Sequence, residues 1–156
     1  MKVFLYAPDD FKNLCVIARS LECLGFRECH IFDPHRLIRP AYGKSYTRRI
    51  QTVSAGAFFL VRWTVVEDPV PFLRAHSGRR LAALPDQKAA SLFGYEFLPS
   101  DMVVFGSERR GIPSEIHELC DLDLTIPLSG RTPSLNLAAA VSIFLAEMTR
   151  GNAQTG

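Results

Sequence analysis

IPLSGRTPSLNLAAAVSIFLAE, residues Ile126 to Glu147, is the stretch on which the reading of this chain turns. Its second half is a run of Ala, Leu, Val, Ile and Phe with no charge until Glu147. A helix so apolar is covered by protein around most of its circumference. Yet it is introduced by Gly-Arg-Thr-Pro and opens on Ser-Leu-Asn. A helix that only fills a core needs one N-cap residue. Ser134 is the expected cap, which places the helix over about 134–149 and leaves Asn136 inside its first turn, where Asn is a poor helix former. Unpaired backbone N–H groups there, beside a polar loop, would form a polar ligand pocket against a dry helix.

Working outward, short runs rich in β-branched and aromatic residues predict strands at 2–7, 28–32, 57–61, 80–84, 101–106 and 123–127. Between them, residues 11–24 place Leu14, Ile17, Leu21 and Leu24 on one helical face, with Gly25 as the stop. Shorter helices are expected near 46–55, 69–76 and 113–119, with Pro113 in a first turn. Strands alternating with helices predict an α/β fold, a parallel sheet with helices on both faces. With no internal repeat or linker, residues 1–150 read as a single domain and 151–156 as a frayed, disordered tail. In such sheets ligands lie beyond the carboxyl ends of the strands, so the loops after Leu84, Phe105 and Ile126 are the candidate site.

The 156 residues are 47% hydrophobic and 22% charged, the balance of a soluble globular protein. No apolar run approaches the roughly 20 residues of a membrane span. The N-terminal MKVFLYAPDD reads as a first strand, not a signal peptide. Cys15, Cys23, Cys29 and Cys120 form no CxxC pair, which predicts reduced thiols and a cytoplasmic location. His30, His35, His76 and His117 lack ligand spacing, so no metal is expected. A net charge of +2 permits an anionic partner without establishing one.

FGSERRGI, Phe105 to Ile112, contains the opening Gly-x-x-x-x-Gly of a P-loop, but Ile112 and Pro113 stand where Lys and Ser/Thr are needed. No GxGxxG follows the first strand and no GxSxG occurs, which disfavours dinucleotide binding and a nucleophile elbow. Alone, the segment reads as a tight turn. In NLCVIAR, Asn13 and Arg19 lie six residues apart, which leaves them about 120° from alignment on a helix. Arg19 by itself reads equally as a solvated charge or a functional one.

Taken together, NLCVIAR, FGSERRGI and IPLSGRTPSLNLAAAVSIFLAE resemble the three motifs of the SpoU (TrmH-type) RNA 2′-O-ribose methyltransferases of the SPOUT superfamily, in the family's order and across essentially the whole chain. The short length is similar to the minimal TrmL-like branch that methylates the tRNA wobble ribose. The chain departs from that branch at the first motif, where Phe11-Lys12-Asn13-Leu14-Cys15 replaces the usual Pro-Asn-Thr-Gly, and Pro85 follows Leu84 where small hydroxyl residues are common.

The resemblance implies a C-terminal trefoil knot whose loops bind S-adenosylmethionine (SAM), a homodimer formed through the last helix, and an RNA partner. It maps the cofactor wall to Leu84, Gly106, Ile126, Ser134 and Leu135. The catalytic Arg maps to Arg19, with Asn13, Glu108, Ser134 and Asn136 as its accompanying polar residues. Methyl transfer from a sulfonium is an in-line displacement governed by positioning. Because guanidinium stays charged, Arg19 would clamp a phosphate and polarise the ribose hydroxyl rather than act as a base. For RNA contact, Arg36, Arg39, Lys44, Arg48 and Arg49 form a basic segment interleaved with Tyr42 and Tyr46, and Arg109 and Arg110 add charge at the pocket mouth. The expected substrate is tRNA. The competing readings are an rRNA methyltransferase and a catalytically silent RNA-binding relative.

Overall fold

Strand by strand, alternation of apolar side chains builds a sheet with two dry faces. The computed structural model describes residues 1–39 and 42–150; the tail expected over 151–156 lies outside the described residues. The strands are β1 (Lys2–Tyr6), β2 (Glu28–Phe32), β3 (Arg62–Val65), β4 (Arg80–Ala83), β5 (Ala90–Ser91), β6 (Met102–Phe105) and β7 (Leu122–Thr125). They form one seven-stranded sheet in the order β3-β2-β1-β6-β4-β7-β5. Every pairing is parallel.

Val3 and Leu5 of β1 and Val103 and Phe105 of β6 project to one side, where α1 (Phe11–Cys23), α2 (Lys44–Ser54) and α5 (Leu137–Arg150) cover them. Phe4, Met102 and Val104 project to the other, against Leu73 of α3 (Pro69–Arg74) and Ile116 of α4 (Ser114–His117). Each such side chain, fully buried, contributes about 1.5–3 kcal/mol. The first face is the larger because α1 and α5 both lie on it, with Leu14, Ile17 and Leu21 facing inward from α1.

α1 starts where Asp10 accepts a hydrogen bond from the Lys12 N–H at 2.8 Å. It stops at Gly25, whose φ of 83° lets the Phe26 and Gly25 N–H groups turn back onto the Leu21 and Glu22 carbonyls. α4 begins one residue later than Pro113, which caps it from an extended conformation instead of entering the first turn.

Two expectations from the sequence are corrected. Residues 57–61 are not a strand: Ala57–Phe59 form a 3₁₀ turn, and the strand follows at β3. Ala55 (φ 51°) and Gly56 (φ 82°) reverse the chain after α2, and the Phe58 N–H is taken by the Ser54 hydroxyl, so the apolar run is buried as a turn. β5 was not anticipated; two exposed residues on an edge carry no hydrophobic alternation.

The strand order also interleaves the chain. β6 lies between β1 and β4, and β7 between β4 and β5, so the C-terminal strands fill gaps bordered by earlier ones. A threaded path such as the knot implied by the family resemblance requires interleaving of this kind.

Candidate active site

Because β6, β4 and β7 are neighbours, their carboxyl ends open side by side. The loops that follow them close a cavity of about 290 Å³. Leu84 and Pro85 form one wall, Gly106 to Arg109 with Gly111 a second, and Ile126, Leu128, Ser134 and Leu135 a third, while Leu137, Ala140 and Phe144 of α5 back it. The structure thus gathers Leu84, Gly106, Ile126, Ser134 and Leu135 around one space. From the sequence the last helix read as the anchor behind the loop and the place for a dimer partner; its Leu137, Ala140 and Phe144 line the cavity as well.

The FGSERRGI loop is shaped by its two glycines. Ser107 and Gly111 exchange backbone hydrogen bonds at 3.1 and 3.0 Å, and the Ser107 hydroxyl accepts from the Arg110 N–H at 3.1 Å. Gly111 closes this small loop at a φ of 64°. A Cβ at Gly106 would collide with the backbone of Gly111 and Ile112. The glycine spacing that mimics half a P-loop is therefore a close backbone contact at the pocket rim.

The third motif differs from its expected form. α5 begins at Leu137, not at 134, and Ser134 is exposed on the pocket loop instead of capping the helix. Asn136 is the cap: its Oδ1 accepts from the Ala138 N–H at 2.9 Å and the Ala139 N–H at 3.4 Å. An Asn that looked misplaced inside a first turn is thus well placed just before it.

Asn136 is also one end of a chain of hydrogen bonds. Its Nδ2 donates to Asn13 Oδ1 at 3.0 Å, and Asn13 Nδ2 donates to Glu108 Oε1 at 2.7 Å. The Glu108 carboxylate further accepts from the backbone N–H groups of Asp9 at 2.7 Å and Asp10 at 3.4 Å. Asn13 is buried. These three residues therefore tie the β1–α1 turn, the loop after β6 and the start of α5 together beside the cavity, and their amide and carboxylate groups are engaged with one another.

Arg19 stands apart. It is exposed on α1, does not line the cavity of its own chain, and makes no ion pair among the described residues. With Lys12, Val16 and Cys23 it forms the outward stripe of the helix. The side of α5 carrying Leu137, Val141, Phe144, Leu145 and Met148 is buried within the chain's own core. Besides Arg150 at its end, α5 leaves Ala139 and Ala146 outward, with Ile143 partly covered, next to α1 through a 2.7 Å contact between the Ser20 and Ser142 hydroxyls.

Arg36, Arg39, Lys44, Arg48 and Arg49 are all exposed, on the segment after β2 and on α2. Arg109 and Arg110 are exposed, and Arg109 lines the cavity. Tyr42 is occupied structurally: its hydroxyl donates to the Leu37 carbonyl at 2.9 Å and accepts from the Arg39 N–H at 3.0 Å.

Burial pushes the Cys15 thiol up to about 11 and that of Cys120 up to about 12, and raises Cys29 as well. Protonated thiols are weak nucleophiles, and none of the three lines the cavity. Among the described residues no group of three His, Cys, Asp or Glu side chains is arranged to hold a metal ion. No helix among them is long and apolar enough to cross a membrane.

Residues 1–146 match the family described as the SpoU rRNA Methylase family. A tRNA (cytidine(34)-2′-O)-methyltransferase of Ancylobacter novellus is 34% identical, covering 97% of this chain and 95% of the relative. The protein of the same name from Beijerinckia indica is 30% identical over 94% of this chain and 88% of its own. A solved structure concerned with the 2-OH methylation of C/U34 on tRNA superposes with a TM-score of 0.80 at 26% identity, covering 98% of this chain and 96% of that one. The three motifs, the interleaved parallel sheet and similarity along nearly the entire length agree: this chain belongs to the SpoU family of RNA methylases.

Proposed function

We propose that this protein is a SAM-dependent methyltransferase that modifies the ribose 2′-hydroxyl of tRNA at nucleotide 34. The observation that carries the reading is the single cavity closed by all three loops after β6, β4 and β7, in a chain 34% identical over 97% of its length to a tRNA cytidine-34 enzyme.

The cavity fits the cofactor. Leu84, Ile126, Leu135 and Phe144 offer apolar surface for an adenine ring, and the Ser107 and Ser134 hydroxyls offer polar groups for hydroxyl and amino-acid ends. SAM supplies the electrophilic methyl group. The chain's own part is to position it. The Asn136–Asn13–Glu108 bonds fix the loops around the cavity, so Asn13 and Asn136 act as positioning residues. Arg19, exposed and free of ion pairs among the described residues, is suited to hold an RNA phosphate and polarise the attacking hydroxyl. The exposed cations on α2 and the segment before it supply the wider RNA surface.

The enzyme acts as a homodimer formed on the α1–α5 face. Ala139 and Ala146 allow close helix approach, Val16 adds exposed apolar surface, and Arg19 lies on the same side, at the junction of the two copies. Residues 1–150 work as one domain with a threaded C-terminal part, which the interleaved strand order supports. A tRNA-modifying role supports a cytoplasmic location.

The test is methyl transfer from labelled SAM to unmodified tRNA transcripts by the purified protein, followed by nuclease digestion and mass spectrometry. A 2′-O-methylated nucleotide at position 34 is the expected product. Labelling of rRNA alone would move the substrate class, and no transfer to either RNA despite SAM binding would identify a silent relative.

A further inference from the structure

A second groove, of about 190 Å³, runs between α1 and α2. Phe11, Tyr46, Ile50 and Val53 form its apolar surface, and Asp10, Lys12 and Arg49 supply its charges. The Phe11 and Tyr46 rings lie 5.3 Å apart at 39°. Tyr42 stacks behind Tyr46 at 5.6 Å and 27°, held by its own hydroxyl bonds to the backbone. Tyr46 is the open ring: it is 38% exposed, and its hydroxyl has no hydrogen bond among the described residues. Val53 is exposed beside it at 37%.

The charges point to one kind of occupant. Lys12 and Arg49 are exposed and make no ion pair among the described residues. The Asp10 carboxylate is committed to capping α1. An aromatic and aliphatic groove flanked by two cations complements a flat ring carried on a phosphate chain. An apolar protein segment would cover the rings but leave both cations unanswered.

The groove also adjoins the active site. Asp10, which lines it, directs its backbone N–H at Glu108 of the methyl-transfer cavity, 3.4 Å away. The two spaces therefore share the turn between β1 and α1.

We propose that the α1–α2 groove receives an unstacked nucleobase of the RNA substrate, close to the nucleotide being methylated, with Lys12 and Arg49 on the flanking phosphates. This rests on reading the protein as an RNA methyltransferase and adds to it a substrate subsite built from Phe11, Tyr46 and Val53. Stacking against Tyr46 tolerates different bases, so the subsite contributes affinity and register more than sequence choice.

The experiment uses the full-length protein and anticodon stem-loop RNAs carrying 2-aminopurine at each loop position in turn. Binding is expected to quench the fluorophore at a loop position next to nucleotide 34. Tyr46→Ala should abolish that quenching and weaken RNA binding about 10-fold, whereas Tyr46→Phe should keep both. Lys12→Gln and Arg49→Gln should each lower the slope of log affinity against log salt by about one. SAM affinity, measured separately by calorimetry, should not change in any variant. Wild-type quenching and affinity in Tyr46→Ala would overturn the proposal. So would conversion of a dimer to a monomer by Tyr46→Ala, because the groove would then be an interface between copies. If the wild type quenched the probe but bound no SAM, the groove would stand and the methyltransferase reading would fall.

Discussion

Asn136 and Asn13, 123 positions apart in the chain, are joined by a 3.0 Å hydrogen bond from Nδ2 to Oδ1. Through it the N-terminus of α5 is coupled to the Glu108 carboxylate on the far side of Asn13. Two residues that read from the sequence as accessories to catalysis form the brace between the first and last helices.

The brace predicts coupled losses. Asn136→Ala removes the α5 cap, worth about 0.5–2 kcal/mol, and also leaves the Asn13 Oδ1 without its donor. Asn13→Ala removes the bridge to Glu108 and should destabilise by about 1–3 kcal/mol. Urea unfolding of both single variants and the double variant should give a double-variant loss smaller than the sum of the singles. Strict additivity would show that the brace is not a unit.

Gly106 and Gly111 should respond differently to alanine. At Gly106 the added Cβ meets the backbone of Gly111 and Ile112, so the loop must open. At Gly111 nothing lies within 4 Å of the Cβ, and only the φ of 64° resists, at a cost of about 1–2 kcal/mol. Calorimetric titration with SAM should show loss of binding in Gly106→Ala and a much smaller effect in Gly111→Ala. Equal affinities in the two would remove the close contact as the reason for the spacing.

Arg19→Ala should leave stability within about 0.5 kcal/mol of the wild type, because the exposed guanidinium has no ion-pair partner among the described residues. SAM affinity should also hold, since Arg19 is absent from the cavity lining. Single-turnover methylation should fall by about 10²–10³, and Arg19→Lys should recover little of it, because a point charge does not reproduce the planar fork. Near-normal turnover in Arg19→Ala would return the residue to a surface charge.

A dimer built on the α1–α5 face should be sensitive to Ala146. This residue is exposed in the single chain, so Ala146→Arg adds bulk and charge without disturbing the core. Sedimentation at tens of micromolar should show the wild type as a dimer and the variant as a monomer with an unchanged circular dichroism spectrum. An unaffected dimer would place the interface elsewhere.

His30 predicts a dependence of stability on pH. It is buried against Phe72, with ring centroids 5.1 Å apart, and neither ring nitrogen has a hydrogen-bond partner among the described residues. Burial is the main cause that holds its pKa below 6.5, with Lys2, His76 and Arg62 adding to the effect and Glu28 opposing it. As pH falls below about 6.5 the unfolded imidazole takes up a proton that the folded one resists, so stability is lost towards acid. His30→Leu should raise Tm by about 3 °C and flatten the decline between pH 7.5 and 5.5. Part of the slope should persist, because His76 is shifted in the same direction by its own burial. Identical slopes in the two proteins would exclude His30 as the source.

Local signals made much of this molecule legible in its sequence. The apolar runs in residues 2–7 and 101–106, the amphipathic stripe of 11–24 and the stop at Gly25 are short-range patterns, and the corresponding elements lie within a few residues of where they were expected. The loops after Leu84, Phe105 and Ile126 could be named as a candidate site because a parallel sheet presents its carboxyl ends together. The family resemblance rested on residue types in α1, in the loop after Phe105 and in the segment that leads from Ile126 into α5. The 57–61 run failed because hydrophobicity alone does not separate a strand from a buried turn. There the reversal at Ala55 and Gly56 decided between them.

What only the tertiary structure decided is which distant groups meet. The sequence shows Asn13, Glu108 and Asn136 as separate polar residues. Their joining depends on β6 inserting beside β1 and on α5 packing on α1. The choice of Asn136 over Ser134 as the α5 cap has the same origin. Both are acceptable caps by residue type, but only Asn136 can cap the helix while its amide donates to Asn13. Hydrogen bonds between segments about a hundred residues apart leave no periodic trace in a chain; they exist only once burial of the two apolar sheet faces has set the strands in order.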